Sequence, residues 1–181
     1  MIITISGRAG SGKSSVGRAL AKKLGYKFYS AGDVRRDFAN SKGLTLAQLN
    51  EQAINDPTSD YLVDDYMKHM ADSEDNFVID AWLGFYCFPD SVKIFLEAKG
   101  MVRAKRIFER GSYEEKPKNV SEALRVINAR EDCCLKRYDK LYGLENAYNY
   151  NHYDLVLDTS DNTVVQTVDE IYRFVQNKIY K

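Results

Sequence analysis

Gly7-Arg8-Ala9-Gly10-Ser11-Gly12-Lys13-Ser14 satisfies the pattern G-x-x-x-x-G-K-[ST], and its flanks decide its meaning. Before it runs Ile2 to Ser6, a short β-branched segment. After it, Ser14 to Leu24 carries Val16, Leu20 and Leu24 at fourfold spacing and stops at Gly25, a suitable left-handed cap. A strand, a glycine loop and a helix in that order form a concavity for phosphate: glycines let successive N–H groups turn inward, and the helix N-terminus adds partial positive charge. The pattern arises by chance in about 0.6% of chains this long. Gly7, Arg8, Ala9, Gly10, Ser11, Gly12, Lys13, Ser14 and Ser15 are therefore expected to cradle the phosphates of ATP. Lys13 would reach the β and γ phosphates, and Ser14 would ligate Mg²⁺.

Working outward, four more β-like runs recur between helical patterns: Lys27 to Ser30, Phe77 to Asp80, Val92 to Glu97 and Tyr153 to Asp158. Strands interleaved with helices call for right-handed crossovers and a parallel sheet covered on both faces, so the class is α/β. Residues from Asp33 to Ala71 hold no strand. They hold three helical segments, one from Asp33, one after Thr45 with Gln48 completing a capping box, and one after Thr58 and Ser59. Two further helices are expected between Lys99 and Leu141, separated by the polar stretch Gly111 to Lys118, which reads as a mobile loop. Asn119 and Glu122 supply a second capping-box signature.

At 181 residues the chain has the length of one domain, and 44% hydrophobic with 12% aromatic residues exclude disorder. Twenty-six Lys and Arg balance twenty-six Asp and Glu, so no net positive field attracts nucleic acid or anionic lipid. No apolar run is long enough to cross a membrane, and no leader pattern follows Met1, so a cytoplasmic protein is expected. Cys87, Cys133 and Cys134 lack framework or zinc spacing and read as reduced, core or half-buried thiols. His69 and His152 read as structural. No interface pattern selects an oligomeric state.

Phe77-Val78-Ile79-Asp80 is an apolar run ending in a carboxylate, suited to organising water around Mg²⁺ beside the loop. A GTPase switch is excluded, because Asp80-Ala81-Trp82-Leu83 does not match D-x-x-G and Asp158-Thr159-Ser160-Asp161 does not match N-K-x-D. A phosphoryl-transfer enzyme instead needs cations around the transferring group, since positioning and charge neutralisation carry most of the catalysis. From Arg103 to Lys140 there are eleven Lys or Arg against seven Asp or Glu, a surplus concentrated in one segment. Arg103, Arg106 and Arg110 share a helix face, and Arg130 and Arg137 stand two turns apart, about 10 Å along an axis, able to straddle a polyphosphate. A solvated helix face is the competing reading for each.

Five segments together resemble the nucleoside monophosphate kinases, P-loop NTPases, and within them the cytidylate kinase-like branch. They are S-A-G-D-x-x-R at Ser30 to Arg36, V-I-D-x-x-L at Val78 to Leu83, F-P-D-S-V-K-I-F-L at Phe88 to Leu96, R-E-x-x-x-x-x-R-Y-x-x-x-Y-G at Arg130 to Gly143, and Y-D-L-V-L-D-T-S at Tyr153 to Ser160. The resemblance implies a three-layer fold with a five-stranded parallel sheet in the order 2-3-1-4-5. It also implies one kinase domain over residues 1–181, a helical acceptor-binding insert at about 33–72 and a lid at about 110–119. The implied activity is ATP-dependent phosphoryl transfer to a small-molecule nucleotide, CMP or dCMP. Arg36 would grip the acceptor phosphate, Arg130 and Arg137 would neutralise charge between donor and acceptor, and Asp80 would join Ser14 at the metal. Asp60 and Asp64 match acidic positions of the insert and would accept from a base amine or a ribose hydroxyl, unless they lie on a solvated face. One departure stands out: relatives carry an arginine where this chain has Trp82, which cannot pair bidentately with phosphate. An acceptor other than a nucleotide, or a catalytically weak regulatory protein, would also accommodate Trp82.

Overall fold

In the computed structural model, which describes residues 1–111 and 117–179, β1 (Ile2–Gly7) is buried from Ile3 to Gly7 and so belongs at the centre of a sheet. It pairs in parallel with β3 (Phe77–Asp80) on one side and β4 (Val92–Glu97) on the other. β2 (Lys27–Ser30) lies outside β3 and β5 (Leu155–Asp158) outside β4, giving the order 2-3-1-4-5 expected from the sequence. In register, Ser30 stands beside Asp80, Asp80 beside Ile5, Gly7 beside Leu96 and Glu97 beside Asp158. The C-terminal ends of all five strands thus share one edge, where open parallel sheets bind ligands.

Alternation along the strands builds two cores. Ile3, Ile5, Val78, Ile94 and Leu96 face α1 (Lys13–Leu24) and α8 (Val164–Ile179), packing on Val16, Leu20, Val168, Ile171 and Val175. Phe77 and Ile79 face the opposite way, onto Val63, Met67 and Met70 of α4 (Thr58–Ser73) and onto Phe88. This is the period-two pattern of a sheet covered on both faces. Each such side chain contributes about 1.5–3 kcal/mol when fully buried.

The insert between β2 and β3 consists of α2 (Ala31–Ser41), α3 (Leu46–Gln52) and α4. Its first helix begins two residues before the expected Asp33. The Ser30 hydroxyl accepts the Asp33 N–H at 3.3 Å, so Ser30 is the cap and Asp33 falls in the first turn. The reciprocal Thr45–Gln48 box is present as expected. After β3 come α5 (Gly84–Cys87), then β4, α6 (Gly100–Arg110) and α7 (Val120–Tyr142). The second expected box is only half formed: Asn119 Oδ1 accepts the Glu122 N–H at 2.9 Å, while the Glu122 carboxylate takes the N–H of Lys118. β5 begins at Leu155, two residues later than expected, because Tyr153 closes a 3₁₀ turn over Tyr150–His152 and donates its hydroxyl to Ala147 O at 2.8 Å. α8 opens on a Thr163–Gln166 box of its own.

Gly111 ends α6, and residues 112–116 of the expected lid lie outside the described residues. Among the described residues no helix is long and apolar enough to cross a membrane. Cys87 and Cys134 are buried, Cys133 is half-buried and all three are free. Tyr138, Tyr142 and Tyr153 pack around Leu83 and Phe85, and His152 stacks on Phe85.

Candidate active site

The loop between β1 and α1 is pressed against its neighbours so closely that two glycines have no substitute. A Cβ at Gly7 would stand 2.2 Å from the Leu96 carbonyl oxygen, and one at Gly10 would stand 2.6 Å from that of Arg103. Both adopt positive φ, +141° and +83°, which side chains rarely tolerate. A small cavity beside the loop is lined by Gly10, Gly12, Lys13, Ser14, Ser15 and Arg110. Arg110, from the end of α6, is thereby brought to the loop.

Lys13 is 9% exposed, and its ammonium donates to the Arg8 carbonyl at 3.0 Å. Burial pulls its pKa below the ordinary lysine value; the charge of Asp80 opposes that pull and Arg130 adds to it. The Ser14 hydroxyl donates directly to Asp80 Oδ2, joining the two residues expected at the metal. A hydroxyl and a carboxylate side by side are hard oxygen donors, and one or two such groups completed by phosphate oxygens and water are what Mg²⁺ accepts. Among the described residues no group of three or more His, Cys, Asp or Glu side chains could hold a metal without such help.

Trp82 is central. Its ring centroid lies 6.0 Å from Lys13 Nζ and 5.5 Å from Arg130 Cζ, while Tyr138 and Tyr148 pack edge-on against it. The indole is thus a surface shared by two of the three residues expected to be catalytic.

Arg137, the third, takes a different position. It is 4% exposed, and its Nε lies 2.9 Å from Asp60 Oδ2 in an ion pair that lacks hydrogen-bond alignment. Asp60 is 5% exposed and also accepts from Arg35 NH1 at 2.9 Å, while Arg35 Nε donates to Asn50. Asp64, 8% exposed, accepts from the Tyr142 hydroxyl and contacts Cys87. The acidic pair of the insert therefore faces α7, and the solvated-face reading of it fails. Burial raises the carboxyl of Asp64 above its ordinary value, against the Tyr142 hydrogen bond. Arg36 stays apart from this cluster, exposed and paired with Asp33, which also accepts from Arg18. Adjacent helix residues diverge by about 100°, which sends Arg35 inward and Arg36 outward.

Two arginines of the cationic surplus turn out to be structural. Arg103 is 5% exposed and bonds Ala98 O, Ala9 O and Glu131. Arg106 holds Thr159 through both its hydroxyl and its carbonyl. Glu131, which no sequence signal beyond its place after Arg130 marked out, is 2% exposed and reaches the loop itself, accepting from Ala9 N–H at 2.8 Å and Arg8 NH1 at 3.1 Å.

The cytidylate kinase-like family matches residues 2–161 of the chain. Cytidylate kinases of Ignicoccus hospitalis, Methanothrix thermoacetophila and Archaeoglobus fulgidus are 39%, 36% and 34% identical to it. The alignments cover 92%, 88% and 100% of this chain and 96%, 88% and 98% of those proteins, respectively. Among solved structures, an uncharacterized protein from Eubacterium ventriosum superposes with a TM-score of 0.69 at 19% identity, over 97% of this chain and 98% of the other. Shikimate kinase from Acinetobacter baumannii gives 0.64 at 17%, over 99% and 95%. These structural likenesses bear on the fold alone and agree with a P-loop kinase sheet. With a phosphate cradle at the strand ends, cations gathered beside it and relatives of this similarity along nearly its whole length, the chain belongs to the cytidylate kinase-like family and is a nucleoside monophosphate kinase.

Proposed function

We propose that the protein transfers the γ-phosphoryl group of ATP to CMP or dCMP, with residues 33–72 as the acceptor-binding insert. The observation that carries this reading is the convergence of Lys13 and Arg130 on Trp82 beside a loop whose Ser14 is bonded to Asp80. Gly7 to Ser15 hold the donor phosphates, and Ser14 with Asp80 hold Mg²⁺. Held by Ser14 and Asp80, Mg²⁺ would supply positive charge to offset that of the phosphates. Lys13 and Arg130 add fixed positive charge where negative charge develops, and their partial burial makes that charge more effective than in water. Arg137 completes the set by exchanging Asp60 for a substrate phosphate. On the acceptor side, Arg36 grips the phosphate, while Asp60 and Asp64 face the nucleoside. Their burial in the insert supports that role: Asp60 holds Arg35 and Asp64 holds Tyr142, while Asp60 Oδ2 has no aligned hydrogen bond, and a cytosine amine or a ribose hydroxyl would supply one. Trp82 closes the cleft with an aromatic face where a cation would otherwise bind phosphate.

ADP release from ATP and Mg²⁺, assayed with CMP, dCMP, UMP, AMP, GMP and a metabolite alcohol, tests the proposal. The highest kcat/KM is expected with CMP or dCMP. No monophosphate-dependent release, or a preference for the alcohol, overturns it.

A further inference from the structure

The side chain of Glu131 closes a ring around one residue of the phosphate loop. Its Oε1 accepts the Ala9 N–H at 2.8 Å and Arg103 NH1 at 2.7 Å, and the same Arg103 NH1 donates to the Ala9 carbonyl at 3.0 Å. Its second oxygen accepts from Arg8 NH1 at 3.1 Å, and Arg8 is tied in turn to Glu97 at 3.0 Å. Both polar groups of Ala9 are thus locked by α6 and α7, and Gly10 follows immediately with its Cα against the Arg103 backbone. A tie between α6 and α7 needs only the Arg103–Glu131 pair. The bonds to Ala9 and Arg8 do something more, since they fix the loop to the helix that carries Arg130.

We propose that Glu131 is a positioning residue for phosphoryl transfer. It sets the loop, and hence Lys13, in register with Arg130, its neighbour on α7. The assignment rests on the kinase reading above. Rigid helical geometry makes the link stiff: once residue 131 is pinned to Ala9, Arg130 has little freedom along or around the helix axis. The Trp82 indole, in contact with both Lys13 and Arg130, marks where the two halves meet. Glu131 also answers the positive charge of Arg8 and Arg103.

Substitution by glutamine separates this role from simple stabilisation. Glu131→Gln keeps an acceptor oxygen but removes one negative charge from beside the loop and sets an amide N–H₂ against a guanidinium. Ground-state attraction for the ATP anion is then retained or strengthened, while the alignment of Lys13 with Arg130 is lost. Expected is a fall in kcat of at least tenfold, with the Kd for MgATP within threefold of the wild type, read from the fluorescence of Trp82, the chain's single tryptophan. Glu131→Asp keeps the charge and shortens the reach, and should show the same fall in kcat. An unchanged kcat in both variants overturns the proposal, as does a parallel loss of kcat and MgATP affinity. Failure of both variants to fold assigns Glu131 to stability alone and overturns it too. A wild type that phosphorylates no monophosphate removes the kinase reading and this proposal together, whereas an active wild type with equally active variants removes only this one.

Discussion

Lys13→Met takes away an ammonium and keeps a stem of similar length beside Trp82. In the wild type Lys13 is 9% exposed and its ammonium donates to Arg8 O at 3.0 Å. Burial depresses its pKa, so the fold works against its charge. A lysine with a depressed folded pKa costs stability wherever it is charged in the native state, and at pH 7 removing the charge relieves that cost. Against this stands the lost hydrogen bond, worth about 1.5–3 kcal/mol when one partner is charged. The Arg8 carbonyl still accepts the Ser11 N–H at 3.2 Å, so it is not stranded. The two effects oppose each other. The ligand-free variant should therefore melt within about 4 °C of the wild type, because 1 kcal/mol moves Tm by about 2–4 °C in a chain of this size.

Nucleotide separates the two proteins. An ammonium about 4 Å from a phosphate charge contributes about 4 kcal/mol at an effective dielectric of about 20. At about 1.4 kcal/mol per decade that is roughly a thousandfold in Kd. MgATP at about 100 times the wild-type Kd stabilises the wild type by about 2.7 kcal/mol, a rise in Tm of about 5–11 °C. At the same concentration the variant binds almost nothing and its Tm stays put. Thermal melting with and without MgATP, beside a coupled ADP assay, reads both quantities. A variant with the wild-type shift and the wild-type rate refutes the assignment of this loop as the donor site.

Trp82→Arg places a guanidinium between cations now 6.0 and 5.5 Å from the ring centroid, so the free variant should be less stable than the wild type. Its KM for CMP should nonetheless fall, since a charge-assisted contact to the acceptor phosphate is worth about 1.5–3 kcal/mol; an unimproved KM for every monophosphate refutes this. Asp64→Asn keeps an acceptor for the Tyr142 hydroxyl. Because burial raises the Asp64 carboxyl, the native state favours its neutral form, and stability present below the unfolded pKa, about 3.9, is lost as pH rises through the folded value. The variant should equal or exceed the wild type in urea denaturation at pH 7, with the difference shrinking toward pH 4. A deficit at pH 7 that closes toward pH 4 would show that the fold prefers the carboxylate.

The local features of this protein are written in its sequence. The glycine loop, the five strands and the Thr45–Gln48 box all follow from short stretches whose backbone preferences and side-chain periodicity act over a few residues. Even α8 carried its own start signal in Thr163 and Gln166. Trp82 declared itself as a departure from the family, but its contacts with Lys13 and Arg130 did not. Nor did the pairing of Asp60 with Arg137, 77 positions apart, or the hold of Glu131 on Ala9, 122 positions away. Periodicity tells which face of α7 is buried and is silent on which buried charge meets which. An arginine that neutralises a phosphate and one that ties two helices together look the same along the chain. Arg103 and Arg130 are told apart only by the carboxylate and the indole that the sheet order brings to each. Those partners are fixed by crossovers between strands, which set distances that no local preference encodes.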